Sequence, residues 1–276
     1  MVRFLLIRLA RLTVIAALTA YGGLFAMQRQ MLYPGHTHRI PMGKPEDYQL
    51  KDFSEVHLST DDGVRIMGWV HPPAKGMPVI LFFHGNGEQI SNRAELFRQF
   101  ADDGYGVFAL EYRGYGNSDG SPSEEGLYSD ARAACHLLKN SYPDSGIIAF
   151  GESLGSGIAV EMAKEFPVTG LVLESAYTSI PNRASEIFWF MPGVQLLARD
   201  RFDSISKIGE IHCPILILHG DLDTIIPIAH GEKLSAAATS RKQFIVVHGA
   251  GHIVPDPPTI KAVNDFFGES SHTRAQ

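Results

Sequence analysis

The chain has 276 residues, 45% of them hydrophobic, and a formal net charge of −6. That length and apolar content suit one sizeable domain with an appendage. The acidic balance, with no basic stripe or stacked aromatic run beyond the N-terminus, excludes a nucleic-acid binder. Two cysteines, Cys135 in a helical stretch and Cys213 before an apolar strand, read as buried fillers. The 12 histidines are scattered, with no Cys/His spacing that suits a metal.

In chain order, Leu12 to Met27 is a charge-free run preceded by Arg3, Arg8 and Arg11. As a helix it spans about 24 Å, short of the roughly 30 Å hydrocarbon core of a bilayer. Snorkelling of Arg8 and Arg11 would bring Phe4 to Ala10 partly into the bilayer and make up the difference. A signal anchor or transmembrane segment is therefore expected over residues 1–29. The arginines favour a cytoplasmic N-terminus, placing the rest of the chain across the membrane, in the periplasm if the source is a bacterium. Ala20-Tyr21-Gly22 is a small-x-small site, so cleavage and secretion is the competing expectation, with an interfacial or buried helix as a third. Residues 30–52, with Tyr33-Pro34-Gly35 and further prolines, read as a linker.

The main domain is expected over residues 53–268, followed by a disordered tail over 269–276. Phe53–Ser59 and Val64–His71 are two strands about the turn Asp61-Asp62-Gly63, an antiparallel edge. Strands and helices then alternate: Val79–Phe83, a helix near Ile90–Asp103, Val107–Leu110, a helix near Glu124–Ser141, Gly146–Phe150, a helix from Ser156 to Glu165, and Gly170–Glu174. An insert at 177–203 interrupts them; Pro214–Leu218, a helix near Ile228–Thr239, Gln243–Val247 and a helix near Pro258–Phe267 complete the pattern. Strands separated by helices predict an α/β fold with a mostly parallel sheet covered on both faces.

The chemistry gathers at strand ends. Gly151-Glu152-Ser153-Leu154-Gly155 joins a strand to a helix, the setting of a nucleophile elbow that strains a serine and exposes its hydroxyl. Pro214–Leu218 runs into His219-Gly220-Asp221-Leu222-Asp223, and Gln243–Val247 into His248-Gly249-Ala250-Gly251-His252. Ser153, Asp223 and His252 are the candidate nucleophile, acid and base. Asp221 reads as a turn residue, His248 as structural, and Glu174, which ends another strand, as a competing acid. His84-Gly85-Asn86-Gly87 follows Val79–Phe83, so the backbone N–H groups of Asn86 and Leu154 are the candidate oxyanion donors. His84 reads as a structural support for that loop. Glu111 and Arg113 suggest a buried pair or loop brace, and Glu152 a carboxylate at the pocket mouth or in solvent. In the insert, Ile187-Phe188-Trp189-Phe190-Met191-Pro192 is unusually apolar, which nominates Phe188, Trp189 and Met191 as pocket residues under a short cap.

The order Ser, Asp, His, the elbow, His84-Gly85-Asn86-Gly87, Tyr112 to Ser118 and His219-Gly220-x-x-Asp223 together resemble the alpha/beta-hydrolase superfamily, over about residues 30–268. The block from Glu111 to Asp130, Leu32-Tyr33-Pro34 and the N-terminal anchor resemble its membrane-anchored branch that includes protein depalmitoylases. This chain lacks the N-terminal cysteine cluster of the mammalian members, which argues against a cytoplasmic depalmitoylase. The resemblance implies a serine hydrolase acting on carboxylic esters or thioesters through an acyl-enzyme, needing no cofactor and no metal. The expected partners are an ester, thioester or lipid-like substrate and the membrane, with no nucleic acid. A serine peptidase on the same triad and a non-catalytic tethered binding protein are the alternatives.

Overall fold

A computed structural model describes residues 1–272. In chain order its elements are α1 (Val2–Leu32), α2 (Pro34–Thr37), β1 (Ser54–Ser59), β2 (Arg65–His71), β3 (Val79–Phe83), α3 (Ala94–Asp102), β4 (Gly106–Glu111), α4 (Glu124–Ser141) and β5 (Ile147–Glu152). There follow α5 (Leu154–Glu165), β6 (Gly170–Glu174), α6 (Ile180–Ile187), α7 (Ser204–Lys207), β7 (Ile215–Gly220), α8 (Ala229–Ala237), β8 (Lys242–Val247) and α9 (Asp256–His272). The expected tail 269–276 overlaps the end of α9, and its last residues, 273–276, lie outside the described residues.

The eight strands form one sheet in the order β1-β2-β4-β3-β5-β6-β7-β8, antiparallel only where β2 meets β1 and β4. β3, β5, β6 and β7 are buried along their whole length, as continuous apolar runs such as VILFF require when helices cover both faces. One core packs α4 and α5 against the sheet, with Leu127, Ala131 and Ile158 fully buried; the other packs α3 and α9, with Phe97, Phe100 and Val263 fully buried. Registry places Gly151 opposite Phe83 and Glu152 opposite Glu174. The carboxyl ends of β3, β5, β6, β7 and β8 thus share one edge, where the chain reverses its winding direction between β3 and β5. This is the alpha/beta-hydrolase architecture expected from the sequence.

Among the described residues α1 is the one helix long and apolar enough to cross a membrane, 31 residues with a mean hydropathy of 1.7 over its most apolar window. Its turns from Val2 to Ala20 stand clear of the domain, while Tyr21, Leu24, Gln28, Arg29 and Leu32 are half-buried on one face. That face docks on the insert. The Tyr21 hydroxyl donates to the Pro192 carbonyl at 2.7 Å, Gln28 donates to Leu197 O at 3.2 Å, and Arg29 makes a bidentate pair with buried Asp200 at 2.8 and 3.0 Å. Asp200 also accepts from the Glu124 N–H, and the Glu124 carboxylate accepts from the N–H groups of Arg201 and Phe202. The stretch read as a linker from residue 30 therefore begins within α1, and Tyr33 beyond it is fully buried.

Candidate active site

The turn after β5 is built by close approach. A Cβ on Gly155 would strike the Phe83 carbonyl, and one on Gly151 the Gly155 carbonyl, so only glycine lets α5 begin so near the sheet. Between them Ser153 is held at φ 49°, a conformation that costs a non-glycine residue on the order of 1–3 kcal/mol. Its N–H donates to the Glu174 carbonyl at 2.9 Å, which fixes the strained residue to the neighbouring strand.

Nε2 of His252 lies 2.9 Å from the Ser153 hydroxyl, and its Nδ1 lies 2.8 Å from Oδ2 of Asp223. A ring nitrogen facing a carboxylate carries the proton, so Nε2 presents a lone pair to the serine. The other oxygen of Asp223 accepts the N–H groups of Ile225 and Ile226, both at 2.8 Å. Burial opposes the charge on Asp223, but hydrogen bonds from His219, His252 and the Ile226 N–H together hold it well below the usual carboxylate range. Ser175, itself at φ 48°, donates its hydroxyl to the His252 carbonyl at 2.5 Å. The structure thus brings together the three residues nominated from sequence.

Their rivals lie elsewhere. His248 is exposed and pairs with Asp221 at 2.9 Å, a surface turn brace. The Glu174 carboxylate is buried and accepts from the Thr259 hydroxyl.

The loop after β3 is tied back at successive carbonyls. The Tyr112 hydroxyl donates to His84 O at 2.9 Å, His84 Nδ1 to Gly85 O at 2.7 Å, and the Tyr115 hydroxyl to Asn86 O at 2.9 Å. In a trans peptide the N–H opposes the C=O, so pinning Gly85 O turns the Asn86 N–H away from the imidazole. Gly85 itself abuts the nucleophile: a Cβ there would sit 3.6 Å from Cβ of Ser153. The Asn86 side chain, which carried little information in the sequence, donates to the Leu32 carbonyl at 3.1 Å and so caps α1.

Behind this loop His84 and Glu111 are fully buried, with Nε2 and Oε1 3.6 Å apart. They are read as a neutral couple rather than an ion pair. Burial pushes His84 down to about 3 and Glu111 up to about 8. With its proton on Nδ1, His84 offers a lone pair on Nε2 towards the protonated carboxyl. Glu111 therefore does not brace Arg113, which pairs instead with Asp130 and Asp62.

Arg93 was not singled out by the sequence. It is buried and faces four carboxylates: Glu152, its shortest partner, then Glu174 and Asp256 at 3.5 Å and Glu88 at 3.8 Å. Glu152 is thus neither at the pocket mouth nor in solvent. Burial, reinforced for Glu152 by Glu174, raises both carboxyls against the pull of Arg93. The two cysteines are free thiols, Cys135 buried and Cys213 half-buried. Among the described residues no cluster of His, Cys, Asp or Glu suits a metal.

A cavity of about 260 Å³ opens beside Ser153, Leu154 and Asn86. Of the three pocket residues nominated from the insert, only Phe188 lines it; Trp189 is 79% exposed and Met191 is not among the lining residues. α6 ends at Ile187, and in the turn that follows Phe188 faces the cavity while Trp189 and Phe190 point outwards. The missing wall comes from α1, whose Leu24, Gln28, Met31 and Leu32 face the cap residues Ile180 and Ala184 across the cavity.

A parallel-dominated sheet with a strained serine at its central elbow, hydrogen-bonded to a histidine in the loop after the last strand, defines an alpha/beta hydrolase. The comparisons agree. A family model described as serine aminopeptidase, S33, matches residues 74–207. The alpha/beta hydrolase domain-containing protein WAV2 of Arabidopsis thaliana is 34% identical over 79% of this chain and 78% of its own. The lysophosphatidylserine lipase ABHD12 of Rattus norvegicus is 30% identical over 85% of this chain and 72% of its own. An alpha-beta hydrolase structure from Vibrio vulnificus superposes with a TM-score of 0.68 at 24% identity, covering 90% of this chain and 91% of its own, which supports the fold. The chain belongs to the alpha/beta-hydrolase family.

Proposed function

We propose that this protein is a membrane-anchored serine hydrolase that cleaves carboxylic esters or thioesters carrying an apolar acyl chain. The observation that carries the reading is the hydrogen-bonded series Ser153–His252–Asp223 opening into an apolar cavity. His252 Nε2 takes the serine proton as Oγ attacks the acyl carbonyl, and Asp223 holds the tautomer and stabilises the imidazolium. The N–H groups of Asn86 and Leu154 meet the oxyanion, each such donor being worth about 3 kcal/mol. The imidazolium returns its proton to the leaving group, and water, activated by the same base, then releases the acid. The residues need no metal or cofactor for these steps. A mammalian relative bearing the name lysophosphatidylserine lipase supports a single-chain lipid ester as the substrate class.

For location, the apolarity of α1 together with its docking on the cap through Tyr21, Gln28 and Arg29 supports an uncleaved anchor. Arg3, Arg8 and Arg11 support a cytoplasmic N-terminus with the catalytic domain across the membrane. A reporter joined after residue 40 that is active only in the cytoplasm overturns this orientation.

The test is fluorophosphonate labelling of the full chain in detergent beside Ser153→Ala, followed by an acetyl-to-decanoyl ester series. Labelling lost in the variant, with activity rising along the series, supports the proposal. A folded wild type that does not label points to a tethered binding protein, and activity falling steadily with chain length refutes the acyl site. The family model's description favours a second reading, an aminopeptidase. Faster turnover of aminoacyl anilides than of esters would establish it instead.

A further inference from the structure

Building on the proposed hydrolase, we infer that the substrate's acyl chain reaches Ser153 sideways from a lipid bilayer, through a slot walled on one side by the anchor helix, while the apex of the cap rests on the membrane surface. The wall is direct: Leu24, Met31 and Leu32 of α1 line the same cavity as Ser153.

The level of the membrane follows from where α1 leaves the domain. Its first contact with the cap is at Tyr21, which binds the Pro192 carbonyl and lies inside the charge-free run Leu12 to Met27. The exposed turns from Val2 to Ala20 make about 28 Å of helix. They match the roughly 30 Å hydrocarbon core only with Arg8 and Arg11 snorkelling to the cytoplasmic surface, which draws the level of Tyr21 towards the acyl region. Once they span a bilayer in this way, the cap segment beside Tyr21 stands at or just within the bilayer's surface.

The side chains at that level suit a lipid interface. Trp189, Phe190 and Leu196 are 79%, 62% and 80% exposed, and Ile187 is half-exposed while also lining the cavity. Large apolar groups gathered on one projection are costly in water, and tryptophan favours the headgroup level. Exposed Arg199, whose guanidinium stands 5.7 Å from the Phe25 ring of α1, supplies a cation where lipid phosphates would lie. The occupant of this surface is the bilayer that holds α1, because Pro192, which lies in the chain between Phe190 and Leu196, is hydrogen-bonded to Tyr21 where the exposed turns of α1 end.

The experiment uses the full chain in phosphatidylcholine vesicles. The protein has two tryptophans, Trp69 fully buried and Trp189 exposed, so tail-brominated phosphatidylcholine reports on the apex alone. Quenching in the wild type that disappears in Trp189→Phe is expected; equal emission with and without bromine overturns the docking. In parallel, Leu24→Trp should lower the ratio of decanoate to acetate ester hydrolysis by about tenfold, because it fills the slot. An unchanged ratio overturns the wall. The pair Trp189→Ser and Phe190→Ser should lower the ratio of vesicle-borne to detergent-dispersed oleoyl lysophosphatidylserine hydrolysis by about tenfold. An unchanged ratio, or cross-linking that finds a second copy on the apex, overturns bilayer access. Failure of the wild type to label with fluorophosphonate would refute the hydrolase reading alone, since the quenching needs no catalysis.

Discussion

The side-chain amide of Asn86 donates to the main-chain carbonyl of Leu32 at 3.1 Å, so the last turn of α1 and the loop beside Ser153 share a hydrogen bond. The contact satisfies a helix C-terminal carbonyl and steadies the loop whose Asn86 N–H is the proposed oxyanion donor. Asn86→Ala retains the backbone donor and loses only this tether. A net hydrogen bond is worth about 1 kcal/mol, so kcat is expected to fall about fivefold with KM for a short ester little changed. Steady-state kinetics on the acetate ester checks it; a wild-type kcat would show that the loop holds its place without the anchor.

Asp223→Asn should be far more damaging than its near-identical shape suggests. Oδ1 accepts two main-chain N–H groups, from Ile225 and Ile226, so the new amide must keep its oxygen there and turn its NH₂ towards His252. His252 would then carry its proton on Nε2, facing the serine, and could no longer accept from it. A loss of kcat on the order of 10⁴ is expected, with the protein folded and thermal unfolding close to wild type.

Arg93→Met removes the cation from a pocket of buried carboxylates. The uncompensated charge should cost about 3–5 kcal/mol in urea unfolding at pH 8. Both Glu152 and Glu174 have raised folded-state values, so their protonated forms are favoured by the native state. The deficit should therefore shrink as pH falls towards 5, and adding Glu152→Gln should recover part of it at pH 8. A deficit that does not vary with pH would show that Arg93 acts by packing alone.

Glu111 and His84 give stability an opposed pH dependence. The Glu111 carboxyl is raised from 4.5 to about 8, so its contribution is complete below 4.5 and is lost as pH rises through 8. His84 is lowered from 6.5 to about 3, so it costs stability only below 6.5. Between 6.5 and 8 Glu111 acts without that opposition, with a slope of at most about 1.4 kcal/mol per pH unit. Glu111→Gln keeps an acceptor for the Ile90 N–H and should flatten the fall in unfolding free energy over that window. An identical slope in both proteins would mean that Glu111 is already ionised in the native state.

Ser153, Asp223 and His252 were legible because each sits on a local pattern, an apolar strand running into a glycine-containing turn, that one stretch of sequence displays whole. Arg93 and Ser175 had no such signal. Arg93 lies in an ordinary turn before α3, and its meaning comes from four acids far apart in sequence that only the fold assembles. Glu88 lies in a loop, Glu152 and Glu174 at the ends of β5 and β6, and Asp256 at the start of α9. The part α1 plays in the cavity wall was hidden for a different reason. Apolarity that suits lipid also suits a cavity wall, and the only hint was the polar pair Gln28 and Arg29 at the end of the run, which proves to be the clasp onto the cap. Trp189 misled because hydrophobicity alone does not tell the inside of a cap from an apex turned outwards.

The stretch from Arg199 to Phe202 is fastened from two directions, to Gln28 and Arg29 on the anchor and to Glu124 at the head of α4. Fastened this way, the base of the cap is a fixed lintel rather than a free hinge. On the proposed reading, selection among acyl chains would then rest on what fits a standing opening.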